Sequence, residues 1–253
     1  MLGSRLRRGT ATEEDQVLLR QWIRAHDPPM SYVSSVLREV LGYQNTPRLK
    51  TVGTLVDKLR REESNLFEMD DIAGLRLEPV ADRLEQVAVV AAIVEHFPGS
   101  RVRDRRATPS TGYRAVHVIV RIDVHRVEVQ VRTRLQHSWA ETNEKLADLA
   151  GRGLRYGEPH PDPTITAIHE RFLLAAEAIA RYEAVEATFE QHVARHHRSG
   201  VSTADVIGGA PESRIEEIQV VLDSAKADAQ RLVGLLKEAV LTYETSNPPS
   251  EGQ

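Results

Sequence analysis

Arg126-Val-Glu-Val-Gln-Val-Arg-Thr133 alternates without a break. In an extended chain Val127, Val129 and Val131 share one face, and Arg126, Glu128, Gln130 and Arg132 share the other. A period of two carried by β-branched residues predicts a β-strand. The valine face is built for a core. The opposite face carries a carboxylate flanked by an amide and two guanidinium groups. Arginines beside a glutamate keep it ionised and are suited to holding phosphate. Taken alone, the pattern also fits an antiparallel strand with a solvated outer face.

Two other stretches change that balance. Tyr113 to Ile122 alternates again, with Val116, Val118, Val120 and Ile122 on one face and Tyr113, His117 and Arg121 on the other. The short turn Asp123-Val124-His125 joins it to the first strand, which predicts a hairpin. Asp70 to Val80 reads as a further strand through Ile72, Leu75, Leu77 and Val80, with Asp70-Asp71 at its mouth. Between these strands, residues 82–97 read as an amphipathic helix using Leu84, Val87, Val90, Val94 and Phe97, stopped by Pro98-Gly99. Arg101 to Arg106 is a basic strand or loop edge, and Thr108 to Gly112 is a turn.

Upstream, residues 1–11 read as a disordered basic start. Thr12 is a helix N-cap ahead of three acidic residues, and the helix to about Ala25 buries Leu18, Leu19, Trp22 and Ile23. Pro28-Pro29 ends that segment. His26-Asp27 has no matching ligands elsewhere and reads as a helix terminus rather than a metal pair. A second helix covers about 31–41. Arg48 and Lys50 lie on a loop leading into a helix over 51–62, and Lys58 follows two turns along it. Such charges usually form a solvated surface. Their clustering at a helix N-terminus also suits phosphate.

Downstream, residues 134–149 return to helix with Leu135, Trp139, Leu146 and Leu149 inward. After a Gly/Pro loop a helix over 164–197 presents Ile165, Ile168, Phe172, Ala175, Ile179, Tyr182, Phe189 and Val193. Residues 198–211 read as a linker. The last helix, 212–245, repeats Ile215, Ile218, Leu222, Ala225, Ala229, Leu232, Leu236, Ala239 and Tyr243, a heptad stripe that wants a partner helix. The tail 246–253 reads as disordered. His192, His196 and His197 have helical spacing, but no carboxylate set accompanies them.

Composition narrows the classes. The chain has 253 residues, 41% hydrophobic and 28% charged, as expected of a globular protein. A net charge of −4 supplies no overall basic field for nucleic acid or membrane. With no cysteine, thiolate catalysis and zinc–cysteine sites are excluded. The longest apolar run, Val87 to Val94, is too short to span a bilayer, and no apolar signal core follows the basic start. A cytoplasmic protein without a membrane partner is the expectation.

Asp71 and Glu128 lie on strands that can be neighbours, and two such carboxylates can share Mg²⁺ with phosphates as co-ligands. With basic residues at 48–61 and 101–106 and an aromatic face at Tyr113, the set suggests phosphoryl or pyrophosphoryl transfer from a nucleotide. Asp71-Ile-Ala-Gly-Leu-Arg76, Gly112-Tyr-Arg-Ala-Val-His117 and Glu128-Val-Gln-Val-Arg-Thr133 resemble the signature of the RelA/SpoT synthetase domain found in small alarmone synthetases. Arg48-x-Lys50 with Lys58 resembles that family's ATP-binding segment, and Arg103-Asp104 its basic strand.

The resemblance implies an α+β fold. A mixed sheet of about four to five strands would be flanked by helices, nucleotidyltransferase-like, with a C-terminal helical extension. The domain would occupy 1–163 with its motifs in 48–150. It implies transfer of the β,γ-pyrophosphate of ATP to the 3′-hydroxyl of GDP or GTP, with Mg²⁺. By motif, Asp71 and Glu128 would hold the metal and Glu128 would polarise the acceptor hydroxyl. Arg48 would stack on adenine, Lys50 and Lys58 would take the ATP phosphates, and Arg76 would join them or serve structure. Tyr113 would stack on the acceptor base, and His117, Gln130, Arg132, Arg103 and Arg105 would line the acceptor side. The family's turn usually reads Lys-Pro-x-Gly-Tyr, whereas Thr108-Pro-Ser-Thr-Gly-Tyr113 has no lysine; after Trp139, Asn143 and Glu144 stand where small synthetases carry Glu and His. Two further expectations therefore stay open: a toxic synthetase modifying the tRNA 3′ CCA end or adenine nucleotides, and an inactive nucleotide-binding homologue. The C-terminal helices would meet a second copy of the chain or an antitoxin.

Overall fold

The structure, a computed structural model, describes residues 2–62, 65–198 and 212–247, with side chains given up to residue 194 of one long helix and from 216 of the next. It divides into two compact units. The first comprises Met1–Pro79, Val87–Asp104 and Val116–Val131; the second comprises Val80–Gln86, Arg105–Ala115 and Arg132–Gln253.

The first unit is built on a five-stranded mixed sheet. Its strands are β1 (Asn45–Leu49), β2 (Ala73–Leu77), β3 (Arg101–Asp104), β4 (Val116–Ile122) and β5 (His125–Val131), in the order β1-β2-β5-β4-β3. β2 and β5 run parallel, and every other pair is antiparallel. The valines of β5 pair with like residues on each side: Val129 faces Leu75 of β2 and Val118 of β4. All three are fully buried, as are Ala73, Val120, Val127 and Val131. Removing each such valine or leucine from water is worth about 1.5–3 kcal/mol. Helix α3 (Asp27–Ser35) packs on β1, β2 and β5.

Several sequence expectations change here. Residues 1–11 are not a disordered start: α1 (Leu2–Arg8) forms and buries Leu6 in a cluster with Leu19 and Ile23 of α2 (Glu13–Arg24) and Leu55 and Leu59 of α4 (Val52–Glu62). One apolar side chain with a prepared hole outweighs the basic composition. In α2, Leu19 and Ile23 are buried, but Leu18 is 52% exposed. Pro28-Pro29 do not end a helix; they open α3, where a missing N–H costs nothing. Arg48 is on strand β1, not on a loop. Tyr113 lies outside β4, in a turn closed by its N–H to Ser110 O at 2.9 Å. Helix α5 (Arg83–His96) buries Val89 and Ile93, with Phe97 just beyond, while Val87 is 50% exposed. Its residues are apolar nearly all round, so periodicity could not choose its inner face.

The second unit is helical. α6 (Arg134–Ala150), α7 (Pro163–Arg198) and α8 (Glu212–Ser246) share one core containing Leu135, Trp139, Phe172, Ile179, Leu222 and Leu236. The stripe of α8 runs through Leu222, Ala229, Val233, Leu236 and Val240. The heptad reading placed Leu232 inward, but it is 39% exposed. A helix of 3.6 residues per turn drifts off a strict seven-residue repeat, and the stripe moves on by one position. His192 is exposed, and the side chains of His196 and His197, like residues 199–211 and 248–253, lie outside the described residues. No helix among the described residues is long and apolar enough to cross a membrane.

Candidate active site

The sheet's second face is polar because strand alternation puts every other residue there. Pairing then aligns these residues in rows. Thr46, Arg76, Gln130, His117 and Arg103 stand side by side across all five strands. The neighbouring row is Arg48, Gly74, Glu128, Ile119 and Arg101. One register thus collects six of the twelve site residues expected from sequence: Arg48, Arg76, Arg103, His117, Glu128 and Gln130.

Glu128 is 6% exposed and His117 is 7% exposed. Nδ1 of His117 stands 2.9 Å from Oε1 of Glu128, and Nε2 of Gln130 donates to Oε2 at 2.8 Å. Burial pushes the Glu128 carboxyl up, but His117, Gln130 and the Lys58 charge outweigh it and hold the group at about 2. Glu128 is therefore an ionised acceptor at neutral pH.

Asp71 precedes β2. Its Oδ2 accepts from Lys58 Nζ at 2.8 Å and lies 3.2 Å from Lys50 Nζ. Lys58 is raised despite its burial, because Asp71, then Glu62 and Glu128, favour its charged form. Lys58 is thus within electrostatic reach of both carboxylates named from sequence. The other oxygen, Oδ1 of Asp71, is buried without a hydrogen bond. A hard oxygen donor left over in this way fits a divalent cation. Among the described residues no group of three or more His, Cys, Asp or Glu is arranged for a metal, so the protein would supply few of the ligands.

The adjacent Asp70 turns elsewhere. It is 7% exposed, bonds Arg101 and, at 2.9 Å, Arg103, and lies 3.6 Å from Arg126. The sequence reading gave it no role, since two consecutive aspartates do not reveal which cations each will meet.

The remaining expected residues lie in the second unit. Arg132, 3% exposed, donates to the Tyr113 hydroxyl from Nη2 at 3.0 Å and Nε at 3.3 Å. Its guanidinium carbon is 5.0 Å from the ring centroid. Arg105 anchors the turn through its backbone N–H to Ala115 O at 2.9 Å. Arg106, the other arginine beside the missing lysine, donates to Gln86 at 3.0 Å, at the edge of a buried chain running from Gln86 through Gln136 to Glu183. Asn143, beyond Trp139, is buried with Oδ1 unbonded. His26 gives Nδ1 to Trp22 O at 2.9 Å, as expected of a helix end.

Residues 47–147 match the protein family described as "Region found in RelA / SpoT proteins". Over these residues the chain is similar to that region. All twelve site residues expected from sequence fall within that stretch. Two of the relatives it resembles are uncharacterized proteins of Mycobacterium tuberculosis and Mycobacterium bovis, each 46% identical over 118 residues, covering 45% of this chain and 42% of theirs. The match therefore spans less than half the length of those relatives. A probable GTP diphosphokinase, chloroplastic, from rice is 35% identical over 106 residues, 40% of this chain and 15% of its own. Among solved structures, small alarmone synthetase 1 from Bacillus subtilis is similar at a TM-score of 0.45 with 22% identity, over 72% of this chain and 97% of that one.

Proposed function

We propose that this chain is an ATP-dependent pyrophosphotransferase, moving the β,γ-pyrophosphate of ATP to the 3′-hydroxyl of a guanine nucleotide and releasing AMP. The observation that carries the reading is the pairing of an ionised, buried Glu128 with an Asp71 held by two lysines, both carboxylates within reach of Lys58. Lys50 and Lys58 are placed to exchange a carboxylate partner for the ATP phosphates. Glu128 accepts a hydrogen bond from the acceptor hydroxyl and takes up its proton as the 3′-oxygen forms its bond to the β-phosphorus. The bond from that phosphorus to the α-phosphate oxygen breaks, and AMP leaves with the electrons. Mg²⁺, held through Asp71 and Glu128, would neutralise the phosphate charge that builds up. Such transfer needs positioning and charge neutralisation more than covalent chemistry. Tyr113 offers its ring to the acceptor base, and Arg48 and Arg76 stand on the donor side of Glu128.

GDP or GTP is placed first as acceptor, supported by the printed name of the rice relative. A tRNA 3′ end is second. The turn before Tyr113 lacks a lysine, which weakens a site for an acceptor whose own phosphates lie close by. The test offers γ-labelled ATP with GDP, GTP, ATP and deacylated tRNA in parallel, with Mg²⁺. Label on GDP or GTP supports the proposal. Label on tRNA or ATP alone replaces the acceptor, and no label with folded protein leaves only nucleotide binding.

A further inference from the structure

The turn that presents Tyr113 is held against its own backbone preference. Thr111 has φ of 50° and Gly112 has φ of 81°, two successive left-handed residues, the first β-branched. Such a conformation persists where surrounding contacts over-determine it. Those contacts come from Arg114, which is 7% exposed. Its Nη1 donates to Gly112 O at 3.1 Å and to Ala176 O at 3.2 Å, and its Nη2 donates to Glu177 at 2.5 Å. One planar fork therefore ties the turn to α7. The turn also lies against α6 and α7 closely enough that a Cβ on Gly112 would stand 3.0 Å from the Trp139 ring and 3.1 Å from Ala176 Cβ. Trp139 is itself pinned to α7 by Nε1 donating to Phe172 O at 2.8 Å.

We propose that Arg114 is a positioning residue, a latch that fixes the Tyr113 ring for the acceptor base by fastening its turn to α7. Helix α7 starts at Pro163, beyond the matched residues 47–147, so an element outside the RelA/SpoT region becomes part of the acceptor subsite. Tyr113 then has two supports. Arg132 holds its hydroxyl, and Arg114 holds the backbone that carries it. A ring fixed before binding spares the entropy of ordering it, which appears as affinity for the base. The inference rests on reading Tyr113 as the stacking face for a purine.

The test uses the full chain with Arg114→Lys, which keeps the charge but loses the fork, and Glu177→Gln, at a position whose own side chain is 56% exposed. Acceptor KM is expected to rise about tenfold in Arg114→Lys, with ATP KM within error. Amide exchange of residues 110–113 is expected to quicken. In a Tyr113→Leu background the same change should have no further effect on acceptor KM, because interacting positions are not additive. An equal loss in that background, or unchanged exchange in the turn, overturns the latch. If Arg114→Lys does not fold, Glu177→Gln carries the same readings with a smaller rise. Should the wild type transfer label to no acceptor, the functional reading falls, and the exchange of 110–113 still decides whether Arg114 and α7 hold the turn.

Discussion

Lys58 donates to Oδ2 of Asp71 across 2.8 Å and so joins α4 to the mouth of β2. The two charges neutralise each other, and under the proposed function Lys58 would turn to phosphate and Asp71 to the metal. Lys58→Met should therefore raise ATP KM by roughly 10- to 100-fold, the worth of a charge-assisted hydrogen bond. It should also change stability in alkali. The folded pKa of Lys58 is raised above 10.5, so its contribution is complete below that pH and is lost as pH climbs through the higher folded value. Melting temperatures of wild type and Lys58→Met should converge above pH 10.5; a constant gap would show that the pair contributes nothing.

Glu128→Gln and Asp71→Asn should each lower turnover by about 10²–10³ or more, since each removes a charge used mainly in the transition state. Circular dichroism should be unchanged. Wild-type-like turnover by either variant on any acceptor would remove the mechanism.

The acid limb of stability should report the His117–Glu128 contact. Glu128 is depressed from 4.5 to about 2, so its contribution is present above 4.5 and is lost as pH falls toward 2. His117→Phe removes the largest group opposing burial, so the Glu128 carboxyl should move up. Acid unfolding of that variant should begin at a higher pH than in wild type, by one unit or more on the scale set by that shift. Superimposable acid titrations would place the control of Glu128 elsewhere.

Gly74 stands between Arg48 and Glu128 in the same row, and its missing side chain leaves the polar face open there. A Cβ at Gly74 would meet only Arg48 O at 3.7 Å and Glu128 O at 3.9 Å, ordinary contacts. Gly74→Val should therefore leave stability equal or improved, valine being the better strand residue. Turnover should fall on the order of 100-fold, because substrate at Glu128 would be displaced. Loss of both stability and activity would mean that Gly74 serves the backbone instead.

The sequence by itself determined the two faces of the sheet and the residues on its polar side. Alternation is local: once β5 forms, Val127, Val129 and Val131 must oppose Glu128, Gln130 and Arg132. Motif spacing likewise singled out Asp71, Glu128 and Tyr113. Only the tertiary structure decided the pairings between distant positions. Lys58 and Asp71 are 13 residues apart, Asp70 and Arg101 are 31 apart, and Arg114 and Ala176 are 62 apart. No local period encodes which aspartate of an adjacent pair takes lysines and which takes arginines. The same holds for α1, ordered by Leu6 meeting a cluster from three other segments, and for the inner face of α5, which the apolar run through the middle of that helix leaves open. These choices follow from where the chain closes its core, because burial rewards contacts between residues irrespective of their distance in sequence.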